Sequence, residues 1–379
     1  MIYKSTYWRL SGFYLFYFAT LGVFLPYWSL YLQHLNYGAE AIGLLTAIMV
    51  GTRMIAPNLW GWLADHTGLH MRVIRIGSFL AFISFAGVLF ADNFVWLALV
   101  LLVFGFCSNA ALPQVEATTL NHLRDREHVY PRIRIWGSIG FIVTVLVCGW
   151  LLDKQPLTIV PWILLFLLAC NWLVTLQIPA SDNSHHIESD NRLWQVIKQP
   201  QVIMLLIVCL LMQAGHGTYY TFYSLYLERA GYSLDRISQL WALGVIAEVV
   251  LFLGMHRLLL RYGLRKLLLL SLLLAAVRWG LIGEAVNSLQ VLLFAQLLHA
   301  ATFGIYHAVT IQFIHRYFTG RLQGRGQALY SSLSYGAGLA LGSYISGYLW
   351  ESFEPVAIFR FAALSSVIAL IIAWRWVRD

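Results

Sequence analysis

The chain has 379 residues, of which 60% are hydrophobic and only 11% are charged. Soluble domains carry about 25% charged residues, so this composition excludes a soluble globular protein and indicates an integral membrane protein. The formal charge of +8 is concentrated in a few loops and does not indicate nucleic-acid binding. The four cysteines lie in apolar runs without CxxC spacing, which indicates packing residues rather than disulfides or zinc ligands.

Apolar segments of about 20 residues follow one another along the chain, each long enough to cross a bilayer as a helix. The first segment is long enough to remain as a span, so we expect no cleaved signal peptide. We predict an all-α membrane protein with twelve transmembrane helices, at residues 8–32, 41–64, 73–91, 94–121, 133–152, 158–178, 201–227, 234–256, 267–283, 289–314, 327–349 and 356–377. An even number of spans places both chain ends on one side.

The distribution of Lys and Arg predicts which side that is. Nineteen of the 25 basic residues fall at the chain ends and in every second loop, whereas four fall in the other loops. The remaining two, Arg53 and Arg278, lie inside spans. Because cytoplasmic loops are enriched in Lys and Arg, we predict a multi-pass membrane protein with both termini in the cytoplasm.

The longest polar stretch separates two sets of six spans. Residues 179–200 have the Ser, Asn and Asp composition of a flexible cytoplasmic linker. We therefore divide the chain into an N-terminal bundle at 1–178 and a C-terminal bundle at 201–379.

An internal repeat supports this division. Ser29-Leu30-Tyr31-Leu32 recurs 195 residues later as Ser224-Leu225-Tyr226-Leu227, and the same offset relates Gly68 to Gly263. Two like bundles that both begin inside the cell are parallel repeats, with a pseudo-twofold axis along the membrane normal. In transporters built this way the substrate site lies near the midplane, between the two bundles.

Charged residues deep inside spans are candidates for chemistry. Glu248 and Arg278 lie roughly 13–18 Å from the basic turn between them, which places both near the middle of the bilayer. Glu116 and Arg53 are also deep, whereas Arg134 lies near the start of its span. A charge at such depth is costly and normally faces a partner or a water-filled cavity. A structural pair between neighbouring helices is the alternative for Glu248 and Arg278, and extension to the interface is the alternative for Arg134.

Polar and aromatic residues also share helical faces. One face of the seventh span carries Gln213, His216 and Tyr220, and one face of the tenth carries Gln296, His299 and Phe303. Interhelical packing would explain the aromatic residues alone, but the repeated His and Gln favour the lining of a cavity. We predict the substrate-binding residues to be Arg53, Glu116, Arg134, Gln213, His216, Tyr220, Gln296 and Phe303.

The sequence contains no catalytic signature. It lacks GxxxxGK[ST], HExxH and GxSxG, so we expect neither an enzyme nor ATP coupling, and neither a cofactor nor a metal. The remaining energy source for uphill transport is an ion gradient, with Glu116, Glu248 and His299 as candidate proton carriers. Burial raises a carboxyl pKa and a nearby Arg lowers it, so a carboxylate whose Arg partner moves away would bind and release a proton.

The loop after the second span resembles the signature of the major facilitator superfamily. It reads Gly61-Trp-Leu-Ala-Asp65-His-Thr-Gly68-Leu-His-Met-Arg72 and keeps the glycines and the aspartate. The resemblance implies that Gly61, Asp65, Gly68 and Arg72 form a gating loop. The sequence departs from the signature at His66, Leu69 and His70, so weaker gating contacts are expected.

Most of the chain is similar to the phenylpropionate permease branch of that superfamily. The stretches that carry this resemblance are Gly22-Val-Phe-Leu-Pro-Tyr-Trp-Ser, Arg134-Ile-Trp-Gly-Ser-Ile-Gly-Phe141, Leu243-Gly-Val-Ile-Ala-Glu248-Val, Val277-Arg278-Trp-Gly280 and Leu298-His299. Nucleoside:proton symporters share part of this pattern. Lactose permease is similar at Pro113-Gln-Val-Glu116 and Arg134, but it has charged residues where this chain has Gln296 and Thr302.

These resemblances imply a monomeric symporter of the bacterial inner membrane that carries a small organic solute and protons across the lipid bilayer. An aromatic acid such as a phenylpropionate is the favoured solute, and a nucleoside or a sugar is the alternative. The residues implied in proton coupling are Glu248, Arg278, His299 and Glu116. A multi-span receptor is a further alternative, but the longest loop has no domain signature.

Overall fold

The computed structural model describes residues 4–180 and 193–378, and every regular element within them is helical. Most of the predicted linker at 179–200, including Arg192, lies outside the described residues. Its remaining part contains a short helix, Leu193–Ile197. Twelve long stretches run back and forth in the described part: α1 Ser5–His34, α2 Ala39–Thr67, α3 His70–Phe90, α4 Phe94–Leu123, α5 Tyr130–Leu152, α6 Leu157–Gln177, α7 Pro200–Arg229, α8 Leu234–Tyr262, α9 Leu264–Glu284, α10 Leu289–Tyr317, α11 323–352 and α12 Val356–Trp376.

The twelve stretches give the molecule two ends. We call the end with both chain termini the terminal face, and the end with the connections at 35–38, 91–93, 153–156, 230–233, 285–288 and 353–355 the distal face. Helices α1–α6 form one bundle and α7–α12 the other. The bundles contact each other chiefly where α2 packs against α11, α5 against α8 and α1 against α7.

Helix α11 completes the twelve predicted spans but is less apolar than the other eleven. In the described residues, eleven helices are long and apolar enough to cross a membrane, and α11 does not meet that measure. Its hydroxyls are instead satisfied by protein: Ser343 pairs with Thr221 at 2.8 Å and Ser346 with Thr218 at 2.7 Å. The face of α11 that packs against α2 and α7 tolerates Ser and Gly, because it meets side chains rather than lipid, whereas Leu341, Tyr344 and Tyr348 on the other face are exposed.

Two prolines interrupt helices beside one another. Pro57 has no N–H for the carbonyl of Arg53, and α2 narrows to a 3₁₀ turn at Thr52–Met54. Pro113 has the same effect in α4, which is interrupted at Asn109. The two interruptions are joined, because Asn109 Nδ2 donates to Thr52 Oγ1 at 3.0 Å.

Close glycine contacts confirm that the two bundles are pseudo-symmetric. A Cβ on Gly22 would lie 2.8 Å from the carbonyl oxygen of Phe141, and a Cβ on Gly217 would overlap that of Leu339. The offset is 195 residues between the glycines and 198 between their partners. The two halves therefore repeat their packing, with three extra residues before the fifth helix of the second half.

The distal face is closed by two carboxylates that cap helices of the opposite bundle. Asp153, after α5, accepts the backbone N–H groups of Leu234 at 2.8 Å and Asp235 at 3.2 Å, at the start of α8. Glu351, at the end of α11, accepts that of Ala39 at 2.9 Å, at the start of α2. Each carboxylate meets the positive end of a helix dipole, so the pair holds the bundles together there.

Candidate functional site

A cavity of about 270 Å³ lies between the two bundles, near the middle of the helices. Its walls carry many aromatic side chains, and helices from both bundles contribute to them. The N-terminal wall includes Phe18, Phe24, Trp28, Arg53, Arg134 and Phe141, and the C-terminal wall includes Tyr219, Tyr220, Trp241, Glu248, His299, Phe303 and Tyr335. The fold thus brings positive charge to one wall and a carboxylate to the other.

Arg134 contributes charge near the terminal face. Its guanidinium lies over the Phe18 ring, 4.2 Å from the centroid, and its Nε is 3.8 Å from Oε1 of Glu116. These contacts hold Arg134 inside the bundle, so it does not simply extend to the interface. Glu116 itself is not part of the cavity wall.

Arg53 is the second guanidinium on this wall. It lies at the interruption of α2, where the distorted backbone turns it toward the cavity. Among the described residues it has no hydrogen bond or ion pair, in contrast to Arg134. An unpaired guanidinium this deep is available to an anionic guest.

The C-terminal wall carries a carboxylate–imidazole pair. Glu248 Oε2 lies 3.5 Å from His299 Nε2, and their side chains are 19% and 8% exposed. The His299 ring stacks on Phe303 at 5.5 Å, and Phe303 stacks on His307 at 6.0 Å. His307 in turn meets the Tyr335 hydroxyl at 2.9 Å, so a continuous column of rings connects α10 to α11.

The rings of this column belong to an irregular part of α10. Residues Ala300–Ile305 form a π-helical turn, which resets the helix face so that Phe303 points into the cavity. Such turns are frequent at functional sites.

Arg278 is buried behind this wall and bonds to neutral acceptors. Its guanidinium donates to Ala295 O at 3.0 Å, Thr302 Oγ1 at 3.1 Å and Gln296 Oε1 at 3.2 Å. It also lies 4.4 Å from the centroid of the Tyr219 ring. Within the described part of the chain no carboxylate lies within ion-pair distance of it, so Glu248 and Arg278 do not form the structural pair considered above.

The polar stripe predicted on α7 is divided by the structure. Tyr220 lines the cavity, whereas Gln213 and His216 are fully buried behind it. His216 Nδ1 lies 3.0 Å from the carbonyl oxygen of Met212, and its ring packs edge-on against Trp279. On α10, Phe303 and His299 reach the cavity while Gln296, also fully buried, supports Arg278.

Five pairs of positions related by the repeat line the cavity. The offset of 195 pairs Phe24 with Tyr219, Leu25 with Tyr220, Thr46 with Trp241, Val50 with Val245, and Arg53 with Glu248, and all ten residues line it. Trp241 was not identified from the sequence, although the offset was a signal that would have found it. Tyr335 was missed because it lies in the α11 π-helical turn Ser332–Gly338, where a regular helical face does not apply.

The predicted gating loop joins α2 to α3 on the terminal face. Gly68 ends α2 in the left-handed conformation at φ 66°, which favours glycine. Asp65 Oδ1 lies 3.7 Å from His70 Nε2, and His70 Nδ1 lies 3.0 Å from Gln114 Oε1 on α4. These contacts stay within the N-terminal bundle, and Arg72 is exposed.

The chain is similar to known proteins over almost its whole length. A family model described as "MFS_1 like family" matches residues 7–361. A protein of Escherichia coli (strain K12), "Probable 3-phenylpropionic acid transporter", is 31% identical over 367 residues, which cover 93% of each chain. "Maltose permease" of Geobacillus stearothermophilus is 25% identical over 366 residues, which cover 95% of this chain and 92% of that one.

Similarity to solved structures extends over the full fold. The crystal structure of a point mutant of the nucleoside transporter NupG has a TM-score of 0.89 to this chain, with 18% sequence identity. The match covers 98% of this chain and 100% of that one. At this identity the likeness concerns the fold alone.

Proposed function

Because this chain belongs to the MFS_1 like family of membrane transporters, we propose that it imports an aromatic carboxylic acid such as 3-phenylpropionate together with protons. The observation that carries the proposal is the division of charge in the central cavity. Arg53 and Arg134 lie on one wall, Glu248 and His299 on the other, and aromatic rings lie between them. A carboxylate would pair with a guanidinium while its ring packs against the aromatic walls.

Proton coupling is assigned to Glu248 and His299. Both line the cavity, and they contact each other, so the proton state of one affects the charge that the other faces. Neutralising Glu248 leaves the two arginines in excess, which favours entry of an anion. Arg278 holds the wall behind this pair, and the Glu116–Arg134 pair lies on the path toward the terminal face.

Alternating access follows from the arrangement of contacts. The caps formed by Asp153 and Glu351 close the distal face, and exposure rises from 19% for Glu248 to 34% for Arg134, closer to the terminal face. With the basic loops at the terminal face, this conformation faces the cytoplasm of a bacterial inner-membrane protein with both termini inside. Bundles 1–178 and 201–379 would then rock about the cavity. The linker at 179–200 joins them and the 61–72 loop acts as a gate.

A monomer suffices for this cycle, because one chain supplies both walls of the cavity. A nucleoside or sugar:proton symporter is the second candidate, favoured by the maltose permease relative and by the NupG fold. That candidate relied on Glu116, Glu248 and Gln213 as hydrogen-bond partners. Only Glu248 among them lines the cavity, which favours the aromatic acid.

Uptake by reconstituted proteoliposomes tests the proposal. With a pH dye in the lumen, we expect acidification on addition of 3-phenylpropionate and none with nucleosides or maltose. Glu248→Gln should abolish acidification, whereas Glu284→Gln, in an exposed distal-face pair with Arg360, should not. Acidification driven by a nucleoside or a sugar would favour the second candidate, and solute uptake without acidification would refute proton coupling.

A further inference from the structure

A second, smaller chamber lies inside the N-terminal bundle. It has a volume of about 60 Å³ and is enclosed by α1, α2, α3, α4 and α6. Arg53 lines both this chamber and the central cavity, as do the side chains Leu21, Phe24, Met49 and Val50. The chamber therefore adjoins the central cavity, with Arg53 at the boundary.

Two buried polar atoms of this chamber have no hydrogen-bond partner among the residues that the structure describes. Ser78 on α3 is 4% exposed and Asn171 on α6 is 6% exposed, and Ser78 Oγ and Asn171 Oδ1 make no hydrogen bond. Leaving a buried polar atom without a hydrogen bond is costly. The cost is higher in a membrane, because the hydrocarbon core holds no water that could replace the missing partner. The Nδ2 group of Asn109, on the same chamber wall, donates to Thr52 Oγ1 and Gly105 O. The two unpaired groups therefore mark a place for a polar guest.

The chemistry of the chamber selects an anionic guest. Arg53 supplies an unpaired positive charge, and Ser78 supplies a hydroxyl that can donate. The amide of Asn171 can present either its oxygen or its NH₂ group, because the two orientations have the same shape. A water needs about 10–15 Å³ by this measure, so the chamber has room for a carboxylate group or about four waters. It has no room for an aromatic ring.

We propose that this chamber is the subsite that receives the carboxylate of the transported acid, with Arg53, Ser78 and Asn171 as its ligands. The inference rests on the proposed function and adds the orientation of the solute to it. The carboxylate enters the N-terminal bundle, and the ring remains in the central cavity. Arg134, already held by Glu116 and Phe18, attracts the anion but does not bind it in the final position.

Binding and transport by matched variants test the subsite. Asn171→Leu fills the chamber and Ser78→Ala removes its hydroxyl. Ser11→Ala is the control, because Ser11 Oγ is equally buried and unpaired in the same bundle but lies outside the chamber. Calorimetry on the purified protein would give the Kd for 3-phenylpropionate and for its neutral amide.

We expect Asn171→Leu to weaken binding of the acid at least tenfold and Ser78→Ala about tenfold, since hydrogen bonds to charged groups are the strong ones. Binding of the amide should change much less, and Ser11→Ala should bind like the parent. Equal losses for acid and amide would show a structural effect and overturn the subsite, as would unchanged acid binding in Asn171→Leu.

Two further outcomes distinguish the subsite from the proposed transport function and from a site for a free anion. If acid binding depends on Asn171 but no flux is observed, the proposed transport function fails while the subsite stands. The Kd for the acid in chloride and in sulfate buffer tests for a free anion. The chamber binds a free anion if chloride weakens acid binding only when Asn171 is intact, and if acid affinity in chloride-free buffer does not depend on Asn171. That result would overturn the assignment to the solute's carboxylate.

Discussion

The two caps on the distal face give a quantitative prediction about conformational balance. Replacing Asp153 and Glu351 by Ala removes the acceptors for the first N–H groups of α8 and α2. Loss of an N-terminal cap costs about 0.5–2 kcal/mol, and the two caps lie on different helix pairs, so their effects should add. The double variant should therefore destabilise the distal-closed conformation by about 1–4 kcal/mol, or about fivefold to several-hundredfold in its population relative to the distal-open conformation.

Spin-label distances across the distal face would measure this shift. Labels at Asp92 and Asn287 lie in exposed connections of opposite bundles, and the four native cysteines would be replaced first. We expect a single short distance in the parent and a second, longer population in the double variant. Asp153→Asn with Glu351→Gln retains an acceptor oxygen on each side chain and should resemble the parent. An unchanged distance distribution in the Ala variant would refute the idea that these caps hold the face closed.

Three further predictions concern packing and the walls of the cavity. Gly217→Val should lower the melting temperature of the purified protein by several degrees or prevent folding, because a Cβ there overlaps the Leu339 carbonyl, whereas Gly280→Val, with open space around it, should be tolerated; equal losses would contradict this. Arg278→Lys keeps the charge but loses donors, so we expect the free energy of unfolding to fall by about 1–3 kcal/mol, seen as a lower melting temperature in a thermal-shift assay; parental stability would argue against the three bonds described. Pro57→Ala restores a donor to α2 and should raise stability while reducing acid uptake; undiminished uptake in a flux assay would show that the interruption at Arg53 is dispensable.

Much of the fold could be predicted from the sequence because membrane helices and their repeat leave local signals. The recurrence of Ser29–Leu32 at Ser224–Leu227 predicted two like bundles, and the glycine contacts of Gly22 and Gly217 have the same offset. Helix α11 was predicted as a twelfth span and is present, but it is less apolar than the others, and its Ser343 and Ser346 hydroxyls pair with Thr221 and Thr218 of α7. Hydropathy alone does not show which face of such a helix meets protein.

The site was harder to predict because a helical face does not specify its neighbours. Gln213, His216 and Tyr220 share a face of α7, yet that face is divided between the cavity and the contacts with α9 and α11. The π-helical turns around Phe303 and Tyr335 change which residues point inward, and periodicity assumes a regular helix. Asn171 was overlooked since a single polar residue in a span gives no pattern; its role depends on the empty space beside it.

Arg53 and Glu248 occupy equivalent places in the two repeats and bear opposite charges. If the two repeats were identical, a rotation by half a turn would superpose the walls, and a guest could bind in either of two equal orientations. The pair Arg53 and Glu248 breaks this equivalence in charge, since it gives the central cavity a positive wall and a negative wall. A guest with one charged end would therefore be favoured in a single orientation.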